Sequence, residues 1–217
     1  MNEVAGKIFS IAKENASVPG CTISKAVSDA NGNYVMHFSL AEGTNISAEL
    51  YSYRKLWIVH EGELRVTGKG GAAALKEGEA FITPAGVAVG SASDGGCVYT
   101  EITLKEESAM NEILKDKKVF ALKDLIPYAE DRVINMDLID EEKLKFVVMS
   151  FTAGTGLPEH AATGDALVFA LEGEATIRYE GGDYRIRAGE NFKFAKGGAH
   201  SIAADQNFKM ALLLILE

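Results

Sequence analysis

The feature that most constrains this chain is that it repeats itself. Laid against its own copy at an offset of 111 residues, Lys7 and Phe9 fall on Lys118 and Phe120, and Gly43-Thr44 falls on Gly154-Thr155. Glu61-Gly62-Glu63 matches Glu172-Gly173-Glu174, Gly70-Gly71 matches Gly181-Gly182, and Gly78-Glu79 with Phe81 matches Gly189-Glu190 with Phe192. Gly86 matches Gly197, and about 20 of the 106 aligned positions are identical without a gap. A period this long exceeds any solenoid unit and implies duplication of a whole domain. The expected copies are residues 1–106 and 112–217. The polar join, Lys105 to Met110, could open a short helix capped by Ser108.

Each copy reads as short strands between glycines. Tyr34–Leu40 and Phe146–Phe151 are β-prone, and Lys55–His60 and Leu167–Leu171 are apolar runs that stop at Glu-Gly. Leu64 and Val66, and Ala175, Ile177 and Tyr179, alternate with polar residues, the period of a half-buried strand. Turn signals such as Asn31-Gly32, Pro84-Ala85-Gly86 and Gly181-Gly182 recur at the spacing of an antiparallel sandwich or barrel. Helical periodicity is confined to the leading segments, Val4–Glu14 and Met110–Lys117. The predicted class is all-β, with two barrels.

Composition narrows the function classes. With 217 residues, 47% hydrophobic, the chain can bury a real core. Its formal charge of -9 argues against binding nucleic acid, which needs clustered Lys and Arg. No apolar run approaches the roughly 20 residues that span a bilayer. Met1 to Val4 shows no basic, apolar leader. The two cysteines, Cys21 and Cys97, form no disulfide framework and read as buried or half-buried thiols. A cytoplasmic location is the expectation. No GxSxG elbow, P-loop or dinucleotide fingerprint is present, and Gly68-Lys69-Gly70-Gly71 reads as a hairpin turn like its counterpart Tyr179-Glu180-Gly181-Gly182. The run Lys115 to Lys118 reads as a solvated face.

The glycine spacing resembles that of the cupin superfamily, small jelly-roll barrels of the RmlC-like type, known by the motifs G(X)5HXH(X)3-4E(X)6G and G(X)5PXG(X)2H(X)3N. In the second copy Gly154, His160 and Gly173 keep the first motif in register, and Gly189, Gly197 and His200 keep the second, with Ala195 in place of proline. Gly43, Gly62, Gly78, Pro84 and Gly86 stand at the same spacings in the first copy. The resemblance covers nearly the whole chain and implies a two-barrel cupin of the "cupin 2 conserved barrel" type, with short helical segments at the start of each half.

In that family the motif His, His, Glu and His commonly hold one metal. Carried over, the second copy has His160, Ala162, Ala166 and His200 at those places, and the first has Glu49, Tyr51, Lys55 and Val89. Asp165 is one residue from the carboxylate place, but strand neighbours point to opposite faces. The resemblance therefore implies a vestigial, metal-free first site. For the second it leaves three readings open. His160 and His200 hold a divalent cation completed by water or ligand. Or they form a metal-free pair that binds an anionic ligand or exchanges protons. Or they have no function. His37 and His60 lie outside the motif places, opposite Val148 and Leu171, and read as structural.

The function implied is a bicupin whose C-terminal barrel binds a small molecule. Its rivals are a small-molecule isomerase, lyase or oxygenase in the same barrel, and a structural or regulatory protein with inert cavities. Three structural expectations follow. Ala162, Ala166, Val168 and Ala170 are smaller than Tyr51, Lys55, Trp57 and Val59, so the second barrel should hold the larger cavity. Glu49 and Lys55 should form an ion pair inside the first. The final strand, Met210–Leu216, is apolar on both faces, so the halves should pack together and a homodimer is favoured over a monomer.

Overall fold

A computed structural model describes residues 1–29, 34–69, 72–105, 109–115 and 119–216. The turns at Asn31-Gly32 and Gly70-Gly71, the Ser108 cap, Asp116 to Lys118 and the outer ends Glu106 and Glu217 of the two expected copies lie outside these residues. The chain opens with strand β1 (Ile8–Phe9) and one turn of helix α1 (Ile11–Glu14). Then come β2 (Thr22–Ser28), β3 (Val35–Leu40), β4 (Thr44–Leu50), β5 (Arg54–Gly68), β6 (Ala73–Lys76), β7 (Glu79–Ile82), β8 (Ala88–Ser93) and β9 (Cys97–Leu104). Helix α2 (Glu112–Lys115), β10 (Val119–Ala121) and a 3-10 turn at Leu122–Leu125 follow. The remainder is β11 (Val133–Asp140), β12 (Leu144–Phe151), β13 (Thr155–Ala161), β14 (Asp165–Glu172), β15 (Glu174–Tyr179), β16 (Gly182–Arg187), β17 (Asn191–Phe194), β18 (Ala199–Ala204) and β19 (Phe208–Ile215).

The described residues form two compact units, Ile11–Ala121 and Met1–Ser10 with Leu122–Glu217. In each, curled antiparallel sheets close around an apolar interior, the jelly-roll arrangement. The strand order is β10-β7-β5-β9-β3-β2 in one and β1-β17-β14-β19-β12-β11 in the other, the same order at the 111-residue offset. The boundaries differ from a division at 1–106 and 112–217 because the leading strands are exchanged. Strand β1 pairs with β17, and β10 pairs with β7. Ile8 packs on the core that contains Phe192, and Val119 on the core that contains Phe81, so each strand follows its buried apolar contact rather than its place in the repeat.

The same contact corrects the helix predicted over Val4–Glu14. Gly6 has a φ of 77°, Ile8–Phe9 is strand, and helix survives only at Ile11–Glu14, where Ile11 is fully buried. Over Met110–Lys117 the helix is Glu112–Lys115, and its described cap is Asn111, whose Oδ1 accepts the Ile113 N–H at 3.0 Å. No described helix is long and apolar enough to cross a membrane.

The paired glycines are retained where backbone approaches backbone. Gly62 and Gly173 have φ of 77° and 73°, and a Cβ on either would lie 2.1 Å from the Gly96 carbonyl oxygen or 2.0 Å from that of Asn207. This close crossing lets β5 continue from one sheet into the other. At the hairpin between β15 and β16, Glu180 and Gly181 both take positive φ, the two-residue turn that matches strand twist.

Strand β19 is covered on both faces within the single chain. Phe208 and Met210 belong to the barrel core, while Ala211, Leu213 and Ile215 on the opposite face are at most 1% exposed. Cys97 is buried, whereas Cys21 is exposed.

Candidate functional site

Strands β13 and β18 pair in register at His160 and His200, after a bulge between Leu157 and His160 that re-aims the strand. The rings lie 4.2 Å apart between centroids. The His160 Nδ1 lies 2.8 Å from the Pro158 carbonyl oxygen, and the His200 Nδ1 lies 3.1 Å from that of Gly198. A carbonyl oxygen only accepts, so each Nδ1 carries a proton and each ring leaves its Nε2 free of that bond. His200 is buried and stacks on Phe194 with centroids 3.9 Å apart. Burial lowers its pKa, the Gly198 carbonyl works against that, and His160 adds to the lowering. His200 is therefore the neutral member at physiological pH, an acceptor held in one tautomer.

Around the pair the wall is apolar. The expected pocket residues Ala162, Ala166, Val168 and Ala170 are at most 8% exposed and belong to the core cluster. Phe151, Tyr179, Phe192, Phe194 and Phe208, brought in by other strands, belong to the same cluster. Met149, Leu157, Leu212 and Leu214 pack on the same core yet stay partly exposed. Leu214 pairs with Ala166, so the incomplete cover lies at the end of the barrel where the motif positions gather.

The donor set does not fit a resident metal. Among the described residues no three His, Cys, Asp or Glu side chains come together. Asp165, the nearest carboxylate in sequence, points away and is 2.9 Å from the Lys193 ammonium, with the Lys196 N–H donating to it at 3.2 Å. Burial raises its pKa, but Lys193, the chain's amino group and Lys196 outweigh that and leave it lowered. Two imidazoles with the correct tautomer are one ligand short of a catalytic zinc site and lack the carboxylate of an iron triad.

The equivalent place in the other barrel is filled. Glu49, opposite Val89 in the β4–β8 ladder, is exposed, and the expected Glu49–Lys55 pair does not form. The Lys55 ammonium instead pairs with the Glu101 carboxylate, which also accepts the Trp57 Nε1–H at 2.8 Å. Lys55 lies 4.0 Å above the Tyr51 ring. The Tyr51 hydroxyl is pushed up to about 12, by burial first and then by Glu101 and Glu49. Glu101 is only 5% exposed and sits inward on β9, at the place of Leu212. Reading the four motif places missed it because β9 carries none of them. The usable signal was a carboxylate on a strand between Tyr99 and Thr103, in a barrel that already held one inward cation.

On the opposite face of the same sheet, Thr100 Oγ1 lies 2.9 Å from His37 Nδ1 and 2.6 Å from His60 Nε2. One hydroxyl can donate to one ring and accept from the other, so both rings are neutral. Burial, His60 and Lys25 lower His37 to about 3, and burial lowers His60 to about 4. A cleft of about 310 Å³, lined by Glu14, Asn15, Ala16, Ile23, Lys25, His37 and Ser39, opens beside them.

Residues 147–216 match the family model of the cupin domain. The whole chain is similar in structure to a cupin 2 conserved barrel domain protein from Leptotrichia buccalis, with a TM-score of 0.86 at 23% identity over 99% of this chain and 98% of that one. A salicylate 1,2-dioxygenase from Pseudaminobacter salicylatoxidans is similar with a TM-score of 0.68 at 12% identity, over 96% of this chain and 84% of that one. A variant of that dioxygenase in complex with gentisate gives a TM-score of 0.69 at 11% identity, over 96% and 81%. No curated protein matches the chain.

Proposed function

Residues 147–216 match the cupin domain, and we propose that the C-terminal barrel they belong to is a binding chamber for a small, mainly apolar molecule bearing a hydroxyl or acidic proton. One observation carries this reading: two imidazoles, each tied through Nδ1 to a backbone carbonyl, present their Nε2 atoms beside a partly exposed apolar wall. Such a wall takes the body of the ligand, and the Nε2 atoms orient its polar end. The flat Phe194–His200 stack suits a ring. A structural neighbour is in complex with gentisate, and hydroxylated aromatic acids are the ligand class to try first.

The test is calorimetric titration of chelator-free, untagged protein with hydroxylated benzoic acids, alongside His200→Phe. Saturable binding to the wild type, lost in the variant without change of fold, supports the reading. No binding by any member of the class, or stoichiometric metal whose removal abolishes binding, overturns it.

A second reading, an isomerase or lyase in the same barrel, is favoured by His200 being neutral, buried and fixed in tautomer, the state of a base ready to take a proton. It predicts proton exchange at a ligand carbon, followed by loss of NMR signal in heavy water. Binding without exchange leaves the chamber reading alone.

A further inference from the structure

The repeat sets two serines in the same place with different surroundings. Ser39 on β3 and Ser150 on β12 are equivalent at the 111-residue offset, and both are buried. Ser150 donates to the Pro127 carbonyl at 2.7 Å, so in that unit the chain that follows the 3-10 turn lies on the sheet and satisfies the hydroxyl. The neighbouring positions there, Leu125, Ile126 and Val148, are apolar and at most 7% exposed.

In the Ile11–Ala121 unit the equivalent chain, Glu14 to Ala16, stands off the sheet and leaves the cleft of about 310 Å³. Ser39, 3% exposed, lines it, and its Oγ has no hydrogen-bond partner among the described residues. A buried hydroxyl without a partner costs free energy, so an unpaired one aimed into a solvent-open cleft marks a place where something else supplies the bond. The lining has turned polar at four of its seven positions, Glu14 for Leu125, Asn15 for Ile126, Lys25 for Met136 and His37 for Val148, while Ile23 keeps the apolar character of Ile134. These side chains converge because Ile23 and Lys25 on β2 pair with Ser39 and His37 on β3, all on the face opposite Phe38 and Leu40 of the barrel core.

We propose that this cleft is a second ligand site, independent of the C-terminal chamber, which takes a neutral polyhydroxylated molecule of about monosaccharide size. The volume falls at the lower end of small-molecule sites. Lys25 and Glu14 cancel in charge, and the serine hydroxyl, the amide of Asn15 and the neutral imidazole of His37 complete a lining with both donors and acceptors. A net anion would meet Glu14 and a net cation Lys25, whereas hydroxyl groups match the polar side chains and the C–H face of a sugar ring suits Ala16 and Ile23.

The test is an amide NMR titration of the full chain with glucose and ribose, with free serine as the zwitterion and inorganic phosphate as the anion. The expected result is saturable shifts of Ser39, His37 and Lys25 with a sugar, while His160 and His200 stay fixed. Ser39→Val should weaken them at least tenfold. Lys25→Met, which installs the half-buried counterpart Met136 of the other unit at an exposed position and leaves the core untouched, should weaken them severalfold. No saturable shift with either sugar, saturation only with serine or phosphate, or equal shifts in both variants would overturn the proposal.

Discussion

The two barrels share a strand order and differ where it matters chemically, in two inward positions. At one barrel mouth Ala166 and Leu212 leave an apolar wall beside two imidazoles. At the other, Lys55 and Glu101 occupy the equivalent positions and cross the interior as an ion pair anchored by Trp57 and Tyr51. The frame that holds metals in related barrels is thus kept in both, and neither keeps the full ligand set. One interior holds an inward lysine paired with a carboxylate, and the other holds two imidazoles without one. Charge compensation inside a jelly roll can be supplied by the chain itself, and the position of the anion is then free to move to a strand outside the motifs.

The sharpest way to break this comparison is to unpair the plug. Lys55→Ala leaves the Glu101 carboxylate buried with only the Trp57 N–H, and should cost about 3–5 kcal/mol in urea unfolding. The double change Lys55→Ala with Glu101→Leu, which transplants the residues of the other barrel, should cost clearly less. A double variant as unstable as the single one would mean that packing, not charge compensation, holds the barrel.

The shared frame gives the next effect. Gly62→Ala and Gly173→Ala should each destabilise by about 2–4 kcal/mol, from left-handed strain and a backbone clash together, and by similar amounts. A large inequality would show that the two crossings are not equivalent.

Acid should act on one unit more than the other. His37 and His60 fall to about 3 and about 4, below the ordinary 6.5, so the unfolded chain binds more protons as pH drops through 6.5. Stability is full above that pH and declines until the folded rings protonate near pH 3–4. At pH 5.5 the loss relative to pH 7 should be about 2–3 kcal/mol, and His37→Val with His60→Leu should flatten the dependence. A thermal midpoint unchanged between pH 7 and 5 would contradict the buried neutral pair.

The smallest difference lies between the paired serines. Ser150→Ala breaks a bond to the Pro127 carbonyl and should cost about 1 kcal/mol, whereas Ser39→Ala removes an unpartnered hydroxyl and should cost close to nothing. Equal costs would show that Ser39 is already satisfied in solution.

The fold was legible because glycines at backbone crossings and turns cannot drift, and Gly62 and Gly173 keep the register that the sequence displays. The histidine pair was legible for the same reason, since the motif spacing placed both on facing strands. What escaped was non-local. The exchange of Ile8–Phe9 and Val119–Ala121 depends on which core each strand reaches. The partner of Lys55 depends on strand parity in β9, where Glu101 looked like one more residue of a polar face beside Thr100 and Thr103.

The central claim is that one barrel receives a ligand through its imidazoles while the other is closed by its own ion pair. With four histidines and one tryptophan in the chain, a single long-range nitrogen–proton spectrum can read both interiors during titration with gentisate as the probe. The account predicts that His160 and His200 each carry a proton on Nδ1, that their Nε2 signals shift and saturate, and that the Trp57 indole signal stays in place. A moving Trp57 signal, or unmoved imidazoles at saturating probe, would contradict it.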